Sequence, residues 1–315
     1  MVHSYRVLSC SLALSLLAFA APDAAAGGGR DALRADPGAR VTLAGAQVAG
    51  VRGAEVHVTA SAQASATDAA RARRVVSTSA DVRFTVGVQS GDPLWQALST
   101  ILHGMAGPVA ASVVTAAGEY ELKDTVVSEI TFPALDSAAA TPFAVGVSLR
   151  SSQVSRRPPA AGATRSASGT RTKAAMASSF RLTLGDLDAT RVRAIDPFAI
   201  KLADPSAVGL SRVERRVTTA LAPTTVSIYL SATAPGADRW LGWFDELAAG
   251  KASAKSGSLE LLAPNVKTVA LAIDLQSVTV AAIHDVVVNE RREIKVDLVV
   301  GQMSLGGKAA PVKAP

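Results

Sequence analysis

A chain of 315 residues has room for one large domain or two ordinary ones, each with a sizeable core. Its net charge of +6 comes largely from residues 155–174, which carry five basic and no acidic side chains, so a basic folded surface for duplex nucleic acid is not indicated. The only cysteine is Cys10, so removal of an N-terminal leader would exclude disulfides and thiol catalysis.

The first 26 residues resemble a secretory signal peptide. Arg6 precedes an apolar run at 7–21, and three alanines at 24–26 offer a cleavage site of small residues. The run is shorter than the roughly 20 residues that a spanning helix needs, so we predict an exported or periplasmic chain without stable membrane insertion. A misassigned start codon is the alternative, and it would leave the protein to assemble in the cytoplasm.

Residues 40–154 are predicted to form a first β-rich module. Apolar residues alternate in its predicted strands, as in a sheet with one buried face. Near the start, the residues on apolar faces are Val41, Leu43, Val56 and Val58. The later predicted strands are 80–88, 109–115, 119–129 and 142–154, and residues 60–74 are predicted to form a loop.

A single amphipathic helix is predicted inside this first module. Asp92 is a suitable N-cap, and Pro93 is a suitable first residue because its missing N–H costs nothing there. Gly104 is placed to end the helix. The apolar stripe consists of Leu94, Trp95, Leu98, Ile101 and Leu102.

Residues 155–178 have almost no large apolar side chains and combine proline, glycine, serine and like charges, which predicts a basic flexible linker. Its arginines could contact nucleic acid or anionic lipid non-specifically, but a solvated tether is the favoured interpretation. The Gly/Ala-rich segment 27–39 and the tail 308–315 are predicted to be disordered.

Residues 179–307 are predicted to form a second module with the same layout. It opens with a β-rich segment at 180–203, and its further predicted strands are 225–231, 258–262, 266–280 and 293–300. Its helix has Pro235 in the expected first turn and Gly250 at the expected left-handed end. The helical stripe consists of Trp240, Trp243, Phe244, Leu247 and Ala248. Because both tryptophans share this stripe, core packing is favoured over stacking on a sugar or base.

The two modules are predicted to be tandem copies, since strand order, the single helix and the following hairpin all recur. The proposed correspondences are Leu43 with Leu184, Trp95 with Trp240, and Phe143 with approximately Lys295. A period this long indicates a duplicated domain and not a solenoid. The alternative is a chance likeness of two all-β domains with one helix each.

Several stretches carry a family resemblance. In the second half they are FRLTLGDLDATRVRAIDPFAIK, PGADRWLGWFDELAAGK, SGSLELLAPNVKTVALAIDLQSVTV and IKVDLVVGQMSL, and in the first half VTLAGAQVAGVRGAEV, PLWQALSTILHG and VVSEITFPALD match more weakly. Their order and spacing resemble those of the tail-tube proteins of contractile phages and phage-derived contractile injection systems. The similar parts cover most of residues 40–305 and carry no single diagnostic motif.

The resemblance implies a mainly β (α+β) fold of two tandem antiparallel β-sandwich or barrel domains, each with one packed amphipathic helix. In such families, domains join edge to edge into rings of six that stack into a hollow tube. A tandem chain would then form a trimer with pseudo-sixfold symmetry, together with other tail-like components. The predicted leader departs from this family, so the alternative is a secreted envelope or adhesive protein that reuses the fold without forming a tube.

The sequence predicts no catalytic, cofactor-binding or metal-binding residue, and hence a non-catalytic protein. His57, His103 and His284 lack metal-ligand spacing and are best explained as surface or cap residues. Asp186 and Asp188 lack the remainder of a calcium loop, so a turn is predicted there.

Overall fold

The computed structural model describes residues 39–63, 75–89, 92–102, 108–158, 175–201 and 223–306. The predicted leader and C-terminal tail, nearly all of the predicted N-terminal tail, and residues 159–174 of the predicted linker lie outside these residues. The described chain is mainly β, as the sequence predicts. It forms two curled antiparallel sheets, each a half-barrel, and has one described helix in each half of the chain.

The elements of each half follow the predicted order of strands around a helix. The first half contains β1 (Arg40–Leu43), β2 (Ala46–Gln47), β3 (Val51–Gln63), β4 (Val75–Gly87), α1 (Pro93–Leu102), β5 (Val109–Thr115), β6 (Gly118–Phe132), β7 (Leu135–Asp136) and β8 (Ala144–Arg157). The second half contains β9 (Phe180–Leu184), β10 (Val192–Ile195), β11 (Phe198–Lys201), β12 (Thr224–Ser231), α2 (Ala237–Ala248), β13 (Lys255–Leu262), β14 (Val269–Val288) and β15 (Arg291–Gly306).

The first sheet has the order β2-β1-β5-β6-β8-β4-β3, and the second has the order β7-β10-β12-β15-β14-β13-β9. Five strand pairings of one sheet therefore recur in the other, because β1-β5-β6-β8-β4-β3 corresponds to β9-β13-β14-β15-β12-β10. In both halves the helix connects the same two strands, β4 to β5 and β12 to β13. The repeated layout that the sequence predicts is thus present in the strand order.

Irregularities in the two ladders repeat as well. Three register shifts occur at corresponding places. They are Val51/Gly53 with Val192/Ala194, Val109/Ala111 with Lys255/Gly257, and Val127/Glu129 with Val280/Ala282. Asp124 and Ser277, at equivalent points of β6 and β14, have φ values of 50° and 53°, which residues with a side chain rarely adopt. Shared bulges of this kind favour duplication over chance likeness, because bulges are conserved features within a fold.

The register confirms one predicted correspondence between the modules. Leu43 pairs with Ala111, and Leu184 pairs with Gly257, at the same bulge in each sheet. Both leucines are buried. They therefore occupy the same place in the two modules.

The register also corrects one predicted correspondence. Ala144 and Glu293 are the equivalent residues at which β8 and β15 end their pairing with β4 and β12. Phe143, one residue earlier, is therefore equivalent to Arg292 and not to Lys295. The prediction was wrong because it assumed a longer insertion in the second module than the ladders contain.

Helix α1 forms where its cap predicts. The backbone N–H of Leu94 donates to Oδ1 of Asp92 at 2.9 Å, and Pro93 is the first helical residue. Trp95 and Leu98 on the predicted stripe are buried. The predicted glycine end of this helix lies outside the described residues.

Helix α2 begins later than predicted. Gly236 is its N-cap, in a left-handed conformation with φ of 88°. The N–H of Ala237 donates to the carbonyl of Ala234 at 3.1 Å, so Pro235 lies in a turn before the helix and not in its first turn. At the other end Gly250 has a φ of 67° and closes the helix as predicted.

The stripe of α2 is confirmed except at its end. Trp240 and Trp243 are buried and pack edge to face, with ring centroids 6.3 Å apart. Phe244 and Leu247 are half-buried, whereas Ala248 is exposed. The two tryptophans are core residues, which agrees with the prediction.

Two predicted strand limits are corrected in the second half. Val266 has a φ of 51° and lies in a turn, so β14 starts at Val269. This strand then continues past the predicted end at Val280 as far as Val288. The extra length leaves a segment of β14 that β13 does not reach.

Strands extend into the segments that were predicted to be the linker and the loop of the first half. Strand β8 continues to Arg157, which pairs with Glu119, because the sheet extends three residues into the predicted linker. At the other end of the linker, the carbonyl of Ala175 accepts a 2.7 Å hydrogen bond from the N–H of Phe143. Strand β3 likewise continues into the predicted 60–74 loop, and Val58 is 46% exposed although an apolar face was predicted.

We expect Trp240→Ala to lower the free energy of unfolding by about 3–5 kcal/mol, because it empties a fully buried aromatic site. Denaturant unfolding followed by circular dichroism measures the loss. The control is Asp245→Ala on the exposed face of the same helix, which should change stability by less than about 0.5 kcal/mol. Equal losses in the two variants would contradict the core position of Trp240.

Burial raises the pKa of Asp92, and the Leu94 N–H opposes this only in part. A raised folded-state pKa means that stability is fully present below the ordinary carboxyl pKa and is lost as pH rises through the folded-state value. Asp92→Asn keeps a cap acceptor and removes the charge. The free energy of unfolding of Asp92→Asn minus that of the native protein should therefore increase as the pH is raised from about 4 to about 7. Asp92→Ala, which lacks the cap, is the control; a decrease for the Asn variant would refute the assignment.

Candidate assembly interface

The two halves of the chain are joined by one antiparallel pairing of strand edges, which we call the junction. It consists of residues 129–136 of the first half and 194–201 of the second. Strand β11 pairs with the end of β6, and β10 pairs with β7, so each half adds strands to the other's sheet. The predicted modules are therefore coupled by backbone hydrogen bonds and not only by a linker.

A proline interrupts each of the two paired segments of the junction, and the two prolines lie opposite each other. Strand β6 ends immediately before Pro133, and β11 starts immediately after Pro197. Proline cannot donate a ladder hydrogen bond, so each strand bends there and its two parts join different sheets. In the first module the equivalent of β10–β11 is the unbroken strand β3.

Aromatic stacking closes the centre of the junction. Phe132 and Phe198 are register partners, and their rings stack with centroids 4.7 Å apart at an angle of 12°. Ile130 and Ile200 form the next buried pair on the same face. These apolar contacts exclude water from the paired backbone and fix its register.

A charged contact closes one end of the junction. Arg193 donates to both carboxylate oxygens of Glu293, at 2.5 and 2.8 Å, and to Asp136 at 2.8 Å. The pKa of Arg193 is raised, chiefly by its bond to Glu293, although its partial burial acts in the opposite direction. The side chain of Glu293 is only 4% exposed, so its charge depends on this partner.

Each strand edge of the junction has an equivalent in the other module. Both equivalent edges are unpaired in the part of the chain that the structure describes. Strand β3, the equivalent of β10–β11, pairs with β4 on one side only. Residues 281–288 of β14, the equivalent of the end of β6 with β7, pair with β15 on one side only. Each open edge presents unpaired backbone groups that can accept another strand.

Apolar residues in the junction are more buried than the equivalent residues on the unpaired edges, as the absence of a pairing strand predicts. Ile130, Phe132 and Leu135 in the junction are buried, but their equivalents in β14 are not. Val58 on the open edge of β3 is 46% exposed, whereas its equivalent in the junction, Ala199, is half-buried. Unpaired strand edges with exposed apolar side chains are candidates for pairing with another strand.

A polar cluster links three strands of the second sheet. Asp297 on β15 accepts a 2.6 Å hydrogen bond from Ser227, and its other oxygen lies 3.2 Å from Nε2 of His284. The carboxylate stands between the hydroxyl and the imidazole, so the serine is not bonded to a base as a nucleophile requires. Burial opposes ionisation, but Ser227, Lys295 and His284 together lower the pKa of Asp297. The cluster therefore acts as a cross-strand tie.

The remaining predicted polar positions are dispersed. His57 is exposed on β3, and Asp186 bonds Lys255 at 2.5 Å. Asp188 accepts from the N–H of Thr190 at 3.0 Å, which is the predicted turn. His103 lies outside the described residues, and within those residues no group of three or more potential ligands could hold a metal ion.

Sequence reasoning missed the junction, although two signals for it are present. Pro197 interrupts an apolar segment that would otherwise match β3, and Pro133 follows the end of β6. Their spacing does not show that the two breaks face each other. The Arg193–Glu293 pair, 100 residues apart, leaves no local pattern.

No protein-family model and no curated protein matches this chain. Among the helices that the structure describes, none is long and apolar enough to cross a membrane. The function of the chain is therefore inferred from the geometry of its strand edges.

We expect Arg193→Met to lower the free energy of unfolding by about 3–5 kcal/mol, because it leaves the buried carboxylate of Glu293 without its cation. Denaturant unfolding measures the change. The matched double variant Arg193→Met/Glu293→Leu removes the stranded charge and should recover most of the loss. A double variant as unstable as the single one would show that the charge of Glu293 is not the cause.

Proposed function

We propose that this protein is a non-catalytic structural component that assembles head to tail into a closed ring through its strand edges. The observation that carries the proposal is the junction, which is filled once within the chain and is present a second time as two open edges. The open edge of β3 in one copy would pair with residues 281–288 of β14 in the next. Each contact would then repeat the geometry already formed inside the chain.

This contact is heterologous, since two different surfaces meet, and a heterologous contact yields either a closed ring or an open filament. Closure pairs both of these open edges in every copy and so limits assembly. A trimer would contain six modules, which agrees with the resemblance to tail-tube and tail-hub proteins. The alternating filled and new junctions would give such a ring pseudo-sixfold symmetry.

The internal junction also specifies the register of the external one. Phe198 pairs with Phe132 inside the chain, so the proposal pairs His57 of one copy with Asp285 of the next. Val58 is then placed opposite His284. These residues are exposed, as the free edges of a separate chain require.

The leader-like first 26 residues favour a second setting for the same edges. A secreted envelope or adhesive protein could use this fold outside the cytoplasm without stacking into a tube. Sequencing of the mature N-terminus distinguishes export from cytoplasmic assembly. Electron micrographs of the purified native protein distinguish rings that stack from single particles.

Cysteine cross-linking tests the proposed ring in its predicted register. Val58→Cys/His284→Cys, in a background with Cys10→Ser, should form intermolecular disulfides under mild oxidation, because the two positions are predicted to be direct neighbours. Non-reducing electrophoresis should show dimers and trimers and no larger product, and mass photometry of the native protein should show the trimer.

The control is His57→Cys/His284→Cys, whose positions are one residue out of register and point to opposite faces. It should cross-link far less. A native chain that stays monomeric at micromolar concentrations would refute the proposal. Equal cross-linking of the two variants would refute the register, and an unlimited ladder would indicate a filament in place of a ring.

A further inference from the structure

Helix α1 packs on the sheet of the other half of the chain. It contacts the C-terminal end of β15, where the hydroxyl of Ser99 donates to the carbonyl of Leu305 at 2.7 Å. Leu305 and its cross-strand partner Ile273 are both buried. The helix of the first module therefore covers one end of the second module's sheet.

Among the described residues, the corresponding contact of a helix with the first module's sheet is absent, and Tyr120 at that end is buried. Arg156 and its partner Tyr120 are the equivalents of Leu305 and Ile273, because they occupy the same place in the β6–β8 ladder. Arg156 is exposed there. A groove occupies this end of the sheet, and its lining residues are Val56, Val58, Thr78, Tyr120, Val154 and Arg156.

Helix α2 has an outer face that corresponds to the docked face of α1. With Trp95 matched to Trp240 as the sequence predicts, Phe244 is equivalent to Ser99 and is half-buried, and Leu241, one turn earlier, is 40% exposed. In α1 the position equivalent to Leu241 is held by the polar Gln96. The second helix thus presents apolar residues where the first has polar ones.

We propose that α2 of one copy docks in this groove on the first module of the next copy, with Phe244 against the valine-lined floor and Leu241 at the rim, because Gln96, the equivalent of Leu241, stays exposed where α1 docks. The inference rests on the proposed ring and adds a second contact to it. The same head-to-tail step that brings β14 to β3 would bring α2 to the end of β8. Inside the chain, the step that brings β6 to β11 also brings α1 to the end of β15.

Charge and polarity agree between the two surfaces. Helix α2 carries three acidic side chains and one basic one. The groove ends at Arg156, whose guanidinium donates to the carbonyl of Ala117 at 2.8 Å and lies 5.9 Å from the centre of the Tyr120 ring. Apolar contact on the floor and opposite charge at the rim are typical of specific interfaces.

A charge exchange between the surfaces tests the docking in the full-length protein. Leu241→Arg places a cation beside Arg156 of the next copy, so the midpoint concentration of assembly should rise about tenfold or more. Adding Arg156→Glu in the same chain creates an opposite-charge pair at every external contact and should restore most of the assembly. Sedimentation or mass photometry over a concentration series measures the midpoints, and thermal unfolding checks that each variant remains folded.

The matched control is Gln96→Arg, the same change at the equivalent position of α1. Gln96 is exposed on α1, and the contact of α1 with β15 lies within one chain, so the midpoint concentration should stay within about twofold of the native value. Assembly that is unaffected by Leu241→Arg, or that Arg156→Glu weakens further, would overturn the docking and leave the edge-paired ring intact. A native protein that never assembles would overturn both proposals.

Discussion

The pairing of two strand edges between the halves of the chain is the constraint on which the remaining structure depends. It satisfies backbone groups at the end of β6 and along β10–β11 that a separate module would leave open. The stacked phenylalanines fix its register, and Arg193 joins it to the buried carboxylate of Glu293. Because the two edges differ, filling them once leaves the same two kinds of edge free at the opposite ends of the chain.

The two modules are alike in topology but unlike at their edges, as duplication followed by divergence would produce. The bulges and strand orders repeat, which preserves the curvature of each half-barrel. Pro197 breaks one edge strand so that it can serve two sheets, whereas the equivalent strand β3 remains whole. The internal contact has buried apolar pairs, whereas the equivalent open edges keep exposed residues, as the proposed contact with a second chain requires.

The polar groups of the structure serve cohesion between strands. Asp297 holds Ser227 and His284 on neighbouring strands, and Asp92 caps α1 at the cost of a partly desolvated charge. These groups lie apart from one another and do not converge on a common cleft.

The sequence by itself determined the alternating strands, both helices with their apolar stripes, and the repeated order of elements, because those features follow from periods of two and 3.6 residues along the chain. It also placed Trp240 and Asp92 correctly. Only the tertiary structure decided which edges meet, that Phe132 stacks on Phe198, and that Arg193 finds a carboxylate 100 residues away. Pairing between distant edges is set by the curvature and register of whole sheets, and neither leaves a periodic trace in the local sequence.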